Sequence, residues 1–365
     1  FLLCARWREG CEMRKVTRRS LLLASLVLVL ACALTAKSAH RVPAGDYAVR
    51  VDAAERLEAC MEQVKAYKTE LGITLSDEDY HKTGMLGEDY TPITTTIGAV
   101  EAKRTTANPD MAALCVQLLE EAGVKAGDTV GAGFSGSFPA MDLAVLCACA
   151  AMDVKIIYIA SAGASTYGAN QVDLTFPDMV LRLVEEGYLS QTPAAFSLGG
   201  DFDCGEEMFP EEREIVRTRL EKSGIFFLHE RDYQKNLALR EEIYRQQGPI
   251  SCFIGVGGNV TTMGLDGDRM GWGVTAPGHI RTVNEKSGLL ERYNEEGLPV
   301  IYLLNIKRLV AEYGLPYDPQ ELSPIGESAV YYEMVYVWPI ALAGAFGAVG
   351  LLLWGRHCRR REEEA

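Results

Sequence analysis

Two apolar segments, one near each end of the chain, constrain this protein more than any motif between them. The first, Leu21–Ala36 (LLLASLVLVLACALTA), follows Arg14, Lys15, Arg18 and Arg19. The second, Met334–Trp354 (MVYVWPIALAGAFGAVGLLLW), is followed by Arg356, Arg359, Arg360 and Arg361. Basic residues beside membrane-crossing helices tend to stay in the cytoplasm. No Lys or Arg lies between Glu321 and Glu333, on the inner side of the second segment. The pattern predicts a two-pass membrane protein with both termini cytoplasmic. Residues 1–19 form a cytoplasmic segment, of which 1–12 read as upstream of a start at Met13. Residues 20–36 form a transmembrane signal anchor, 37–333 an extracytoplasmic domain, 334–355 a second transmembrane helix, and 356–365 a cytoplasmic tail.

The second segment has 21 uncharged residues, enough to cross a hydrocarbon core of ~30 Å at ~1.5 Å per residue. Tyr336, Trp338 and Trp354 stand where an interfacial aromatic belt would. The first segment is shorter. An uncleaved anchor is the expectation, with a cleaved signal peptide and a lipid anchor on Cys32 as alternatives. Small residues recur in the second segment at Ala341, Gly344, Ala345 and Ala348, and at Ala343, Gly347 and Gly350. Rows of this kind let a partner helix pack closely.

The chain carries 36 Lys and Arg against 50 Asp and Glu. The terminal segments hold ten of the bases and five of the acids, so the middle keeps 26 bases against 45 acids, a net charge of −19. Such a domain does not bind nucleic acid or polyanions over a broad surface. An acidic ligand has to be met at a local site. Six cysteines fall in the middle region, at 60, 115, 147, 149, 204 and 252. They form no CxxC and no zinc spacing, and they read as small buried residues rather than a disulfide framework.

Between the terminal segments, strands alternate with helices. Helices are predicted over 52–71, 108–122, 139–152, 176–186, 211–222, 233–247 and 307–313. Strands are predicted over 129–132, 155–159, 194–198, 225–228, 252–256 and 300–304. The polar stretch around Pro92 reads as loop and short strand. This alternation predicts an α/β domain with a doubly wound, mainly parallel sheet. Ligands in such sheets bind outside the carboxyl ends of the strands. Those ends are small and polar here, and the candidate ligand-binding residues are Ser135, Ser137, Ser161, Ser165, Tyr167, Asn170, Asp201, Gly257, Gly258 and Asn259.

Gly131–Gly136 matches GxGxxG, yet a dinucleotide site needs an acid at the end of the next strand. Ser161 stands there, and Asp153 precedes the strand. An extracytoplasmic address also removes ATP and NAD, so no cofactor is expected. Gly133–Ser137 resembles a nucleophile elbow that ends in Ser where Gly belongs. Ser135 with His229 or His279 as base and Asp201, Asp203 or Asp232 as orienter is the weak catalytic candidate. Helix capping or anion contact by Ser135 is the competing role. Asp201-Phe202-Asp203 hints at calcium without completing the loop pattern, and no metal site is expected.

Four blocks carry a resemblance. FSGSFPA (134–140), GASTYGAN (163–170), SLGGDFDCG (197–205) and IGVGGN (254–259) resemble the poly-gamma-glutamate system protein family, over roughly residues 47–305 and both anchors. The resemblance implies a membrane-tethered protein working with the ligase-type machinery that makes or exports poly-gamma-glutamate. It implies membrane subunits of a synthase or export complex as partners, and an acidic polymer or glutamyl unit as ligand. It assigns no catalytic residue. Two other readings stay open: an extracytoplasmic serine-dependent hydrolase or transferase acting on gamma-glutamyl or cell-wall bonds, and a solute-binding or sensory domain unrelated to the polymer.

Overall fold

The structure is a computed structural model that describes residues 2–267 and 270–363, with side chains from residue 18 onward except 359, 360, 362 and 363. The side chains of the 1–12 segment, of Arg14, Lys15, Arg359 and Arg360, and residues Glu364 and Ala365 of the tail lie outside the described residues. The chain divides into two compact units, residues 1–44 with 332–365, and residues 45–331.

The first unit is a pair of helices with a two-stranded ribbon. The N-terminal helix spans Leu2–Lys37 and the C-terminal helix Trp338–Glu363. His40–Pro43 pairs antiparallel with Tyr332–Val335. Met334 and Val335 therefore belong to a strand, and the helix starts only at Trp338. Pro339 explains the boundary, because proline suits the first turn of a helix and no later one. The windows Arg18–Lys37 and Trp338–Cys358 are each long and apolar enough to cross a membrane. The helices pack against each other through small residues, with Ala24, Ala31 and Ala348 buried. A side chain on Gly344 would collide with Ala31, and one on Gly347 would reach Val27 at 3.6 Å. The small-residue row thus finds a partner within the chain.

The second unit is α/β. Six strands form its central sheet: β1 Thr129–Ser135, β2 Lys155–Ser161, β3 Ala195–Ser197, β4 Phe253–Val256, β5 Gly273–Thr275 and β6 Val300–Leu303. Their order is β3-β2-β1-β4-β6-β5, all parallel except β5. The strand expected at 225–228 is reduced to a bridge from Phe227 to Phe196. The antiparallel edge strand β5 was not legible; its three residues carry no alternation to read.

Nine helices named here accompany the sheet: α1 Tyr47–Glu70, α2 Val100–Thr106, α3 Asp110–Glu121, α4 Pro139–Ala151, α5 Phe176–Glu185, α6 Pro210–Glu221, α7 Tyr233–Gln246, α8 Leu289–Glu295 and α9 Ile306–Glu312. Successive strand residues point to opposite faces. Phe253 meets Tyr244 of α7 and Tyr293 of α8 at ring-centroid distances of 5.3 and 4.7 Å. Phe134, on the alternate face, meets Tyr158 and Phe176 of α5. Each such aromatic, fully buried, contributes about 1.5–3 kcal/mol. α1 packs on α3 and α4. The six cysteines of this unit are buried and free, with the Cys60 and Cys147 sulfurs 4.0 Å apart.

Candidate functional site

The parallel register lines up one residue type at the carboxyl edge. Ser135 of β1 pairs with Ser161 of β2, which pairs with Ser197 of β3. The sheet order reverses between β1 and β4, and a crevice opens at such a reversal. A cavity of about 510 Å³ sits there. Its walls include Ser135, Ser137, Ser161, Ser165, Asp201, Gly258 and Asn259, joined by the segment 95–99, Lys103 and Glu207. A larger, shallower depression of about 790 Å³ lies between α5 and α6, away from the strand ends, lined by helix residues such as Glu211 and Lys222.

Three of the candidate residues do not line the cavity. Asn170 is fully buried behind it, where its amide accepts from Glu88 N at 3.0 Å and donates to Glu88 O and Thr94 Oγ1 at 2.8 and 3.0 Å. It locks the GASTYGAN loop rather than a ligand. Tyr167 has left-handed backbone, φ 60°, and its carbonyl accepts from Gly87 N. Gly257 turns the chain out of β4 with φ 79°, and a Cβ there would stand 2.9 Å from Ser135 Cβ. It supports the site from behind.

Ser135, Ser137 and Ser165 form one hydrogen-bonded group, with Ser161 beside it. Ser135 Oγ donates to Ser137 Oγ at 3.1 Å, and Ser137 Oγ accepts from Ser165 N at 3.0 Å. Ser161 Oγ donates to Phe134 O at 3.0 Å. Asn259 caps the one-turn helix Val260–Met263 by accepting from Thr261 N at 2.9 Å.

Among the described residues, no histidine lines this cavity. His229 is exposed and stacks on Phe227, and Ser135 bonds to a serine instead. His229 follows a segment that meets only the outer edge of β3, through the Phe227–Phe196 bridge, away from the β1–β4 crevice. Asp203 is buried, accepting from Ser197 Oγ at 2.8 Å and from Arg240. Among the described residues, no group of three or more His, Cys, Asp or Glu is arranged to hold a metal ion.

Lys103 is the site residue that sequence reasoning missed. It sits on α2, inside the stretch read as loop and strand. Seven residues with a single Val give no apolar period to reveal a helix. Lys103 is buried, with Nζ 2.7 Å from Ser165 Oγ and bonded to Ser137 O. Its Nζ lies 3.6 Å from the Phe138 ring centroid. Burial brings its pKa down to about 7, with Asp142 opposing the shift. Asp142, in the first turn of α4, is itself pushed well above the usual carboxylate range by complete burial, and neither of its oxygens has a hydrogen-bond partner. An anion so placed is costly, which disfavours the charged form of Asp142 and weakens it as a counter-charge to Lys103.

Glu207 was also missed. Its Oε1 accepts from Asp201 N at 2.7 Å, and its Oε2 is buried without a partner. Burial raises its pKa, against the backbone N–H groups of Glu207 and Asp201, while the Asp201 carboxylate charge adds to the rise. The cavity therefore offers hydroxyls and an amine together with two carboxyl groups.

The chain matches no protein-family model, no curated protein and no solved structure.

Proposed function

We propose that the protein is a two-pass membrane protein, both termini cytoplasmic, whose extracytoplasmic doubly wound domain binds a small anionic or glutamyl ligand in the strand-end cavity. In this reading it is an accessory to poly-gamma-glutamate synthesis or export, working beside the membrane subunits of the synthase. One observation carries the binding role: hydroxyls of Ser135, Ser137, Ser161 and Ser165 and the amine of Lys103 converge on one cavity at the sheet's reversal point. Such donors suit carboxylate oxygens. Asp201 and Glu207 suit the ammonium of the same unit. The cavity's size favours one or two glutamyl units over a long groove, and the acidic middle of the chain repels the rest of a polyanion. The helices against both sheet faces and the order β3-β2-β1-β4-β6-β5 support the doubly wound reading.

Two measurements test this. Calorimetric titration of the full chain in detergent with di- and tri-gamma-glutamate should give saturable binding that alpha-linked diglutamate does not match. No heat from either would end the glutamyl reading. Reporter fusions should place Gly123 outside and the C-terminus inside; a cytoplasmic Gly123 would end the extracytoplasmic one.

A further inference from the structure

We propose that Ser165 and Lys103 form a nucleophile–base pair, which makes the cavity an acyl-transfer site for small amides carrying a free ammonium group. The geometry is specific. Lys103 Nζ is 2.7 Å from Ser165 Oγ, both groups line the cavity, and the amine also donates to Ser137 O. In the protonated state Nζ donates to both oxygens; once neutral, the amine keeps the Ser137 bond through one N–H and has a lone pair free to accept from the Ser165 hydroxyl. A serine becomes a nucleophile when a neighbouring base takes its proton, and an unprotonated lysine serves that role. Burial and hydrogen bonds that go to Ser137 O and Ser165 Oγ rather than to a carboxylate among the described residues favour the neutral amine. The Phe138 ring acts the other way.

The step balances without any further reagent than water. Lys103 accepts the Ser165 proton as Oγ bonds to the amide carbonyl carbon. The tetrahedral adduct collapses, the C–N bond breaks, and Lys103 returns the proton to the leaving amine. Water, or an acceptor amine, then attacks the Ser165 ester and restores the hydroxyl. Ser137 Oγ already accepts from Ser135 Oγ and Ser165 N, which leaves its own O–H to donate toward the developing oxyanion. Glu207, with Oε2 buried and unpartnered, and Asp201 would take the substrate ammonium. A gamma-glutamyl chain end has that chemistry.

This inference rests on the cavity proposed above but not on its glutamyl ligand. A fluorophosphonate, which phosphonylates activated serines, tests it on the full chain in detergent. Intact mass and peptide mapping should show one adduct, on Ser165. The labelling rate should rise with pH and level off above about 7, where Lys103 loses its proton. Ser165→Ala should abolish the adduct, and Lys103→Arg, which keeps the charge without a usable lone pair, should slow it about 100-fold or more. The wild-type map and pH profile decide the matter even if Lys103→Arg fails to fold. No adduct between pH 5 and 10, an adduct on Ser135 or Ser137, a rate indifferent to pH, or a folded Lys103→Arg labelled at the wild-type rate would each overturn the proposal. Labelling without glutamyl binding leaves the pair standing and removes the ligand reading. Binding without labelling does the reverse.

Discussion

Asp203 Oδ2 lies 2.5 Å from Arg240 Nη2, with both side chains almost completely buried. Asp203 also accepts from Ser197 Oγ and from Asn236 Nδ2 at 3.1 Å, so the pair ties α7 to the end of β3. Phe202 and Asp203 themselves have left-handed backbone, φ 54° and 59°. A bulky residue in that region stores of order 1–3 kcal/mol of strain, which the buried pair holds in place. Asp203 is thus a clamp on the loop that presents Asp201 and Glu207. Removing one member leaves an uncompensated buried charge. Arg240→Leu should destabilise the domain by about 3–5 kcal/mol, and Arg240→Leu with Asp203→Leu should recover part of that loss. Denaturation midpoints of the two variants check it; equal losses would mean that the charge itself is not the cost.

Asn170 satisfies the loop 163–170 from inside, with three hydrogen bonds to Glu88 and Thr94. Asn170→Ala leaves Glu88 N without its partner and Glu88 O with Tyr167 N alone. The expected cost is about 2–3 kcal/mol of stability. Because Asn170 does not line the cavity, ligand affinity in the fraction that remains folded should be near that of the native chain. A large affinity loss at full stability would place Asn170 in the site after all.

The alternation of apolar runs made the parallel strands legible, because a buried strand of β-branched and aromatic residues bounded by glycine has few other solutions. The serine-rich strand ends followed from that alone, which is why Ser135, Ser137, Ser161 and Ser165 could be named together. Lys103 and Glu207 could not. They reach the cavity through the short helix α2 and the turn after Asp203, whose positions depend on tertiary packing and not on local period. His229 illustrates the opposite failure. Ile225–Leu228 has strand propensity, but it meets the sheet through one bridge on the outer edge of β3, two strands away from β1, and the residue after it does not line the cavity.

If the strand-end cavity binds ligand as proposed, Gly257 bears on that binding from behind the cavity wall. Its φ of 79° and its approach to Ser135 both exclude a side chain. Gly257→Ala should cost about 1 kcal/mol or more from backbone strain, and it should displace Ser135 within the serine group. Titration should therefore show weaker glutamyl binding together with a lower thermal midpoint. Gly45, where an added Cβ meets nothing within 4 Å, serves as the control: Gly45→Ala should alter neither. Unchanged binding in Gly257→Ala would separate Ser135 from the ligand.

Lys103 gives the domain a pH dependence of definite sign. Its folded pKa of about 7 is below the ordinary lysine value of 10.5, because burial disfavours the charged form. Between those values the unfolded chain binds a proton that the folded chain does not, so stability rises with pH across that window. Below about pH 7 both states are protonated and the full penalty is present; above the ordinary lysine range it is gone. Lys68, buried and lowered to about 8 despite Asp79 and Glu88, adds a smaller contribution of the same sign over the upper part of the window. Asp142, whose pKa is raised in the folded state, contributes with the opposite sign: the unfolded chain loses that proton first, so stability falls with pH from the ordinary carboxylate range until the folded group ionises. Replacing the amine by an apolar side chain of similar length removes the Lys103 contribution alone. The thermal midpoint of the native chain should climb between pH 7 and 10 relative to Lys103→Met, by up to about 1.4 kcal/mol of stability per pH unit before solvent relaxation reduces it. Parallel curves for the two proteins would mean that Lys103 keeps its charge throughout, and a neutral amine beside Ser165 would no longer be tenable.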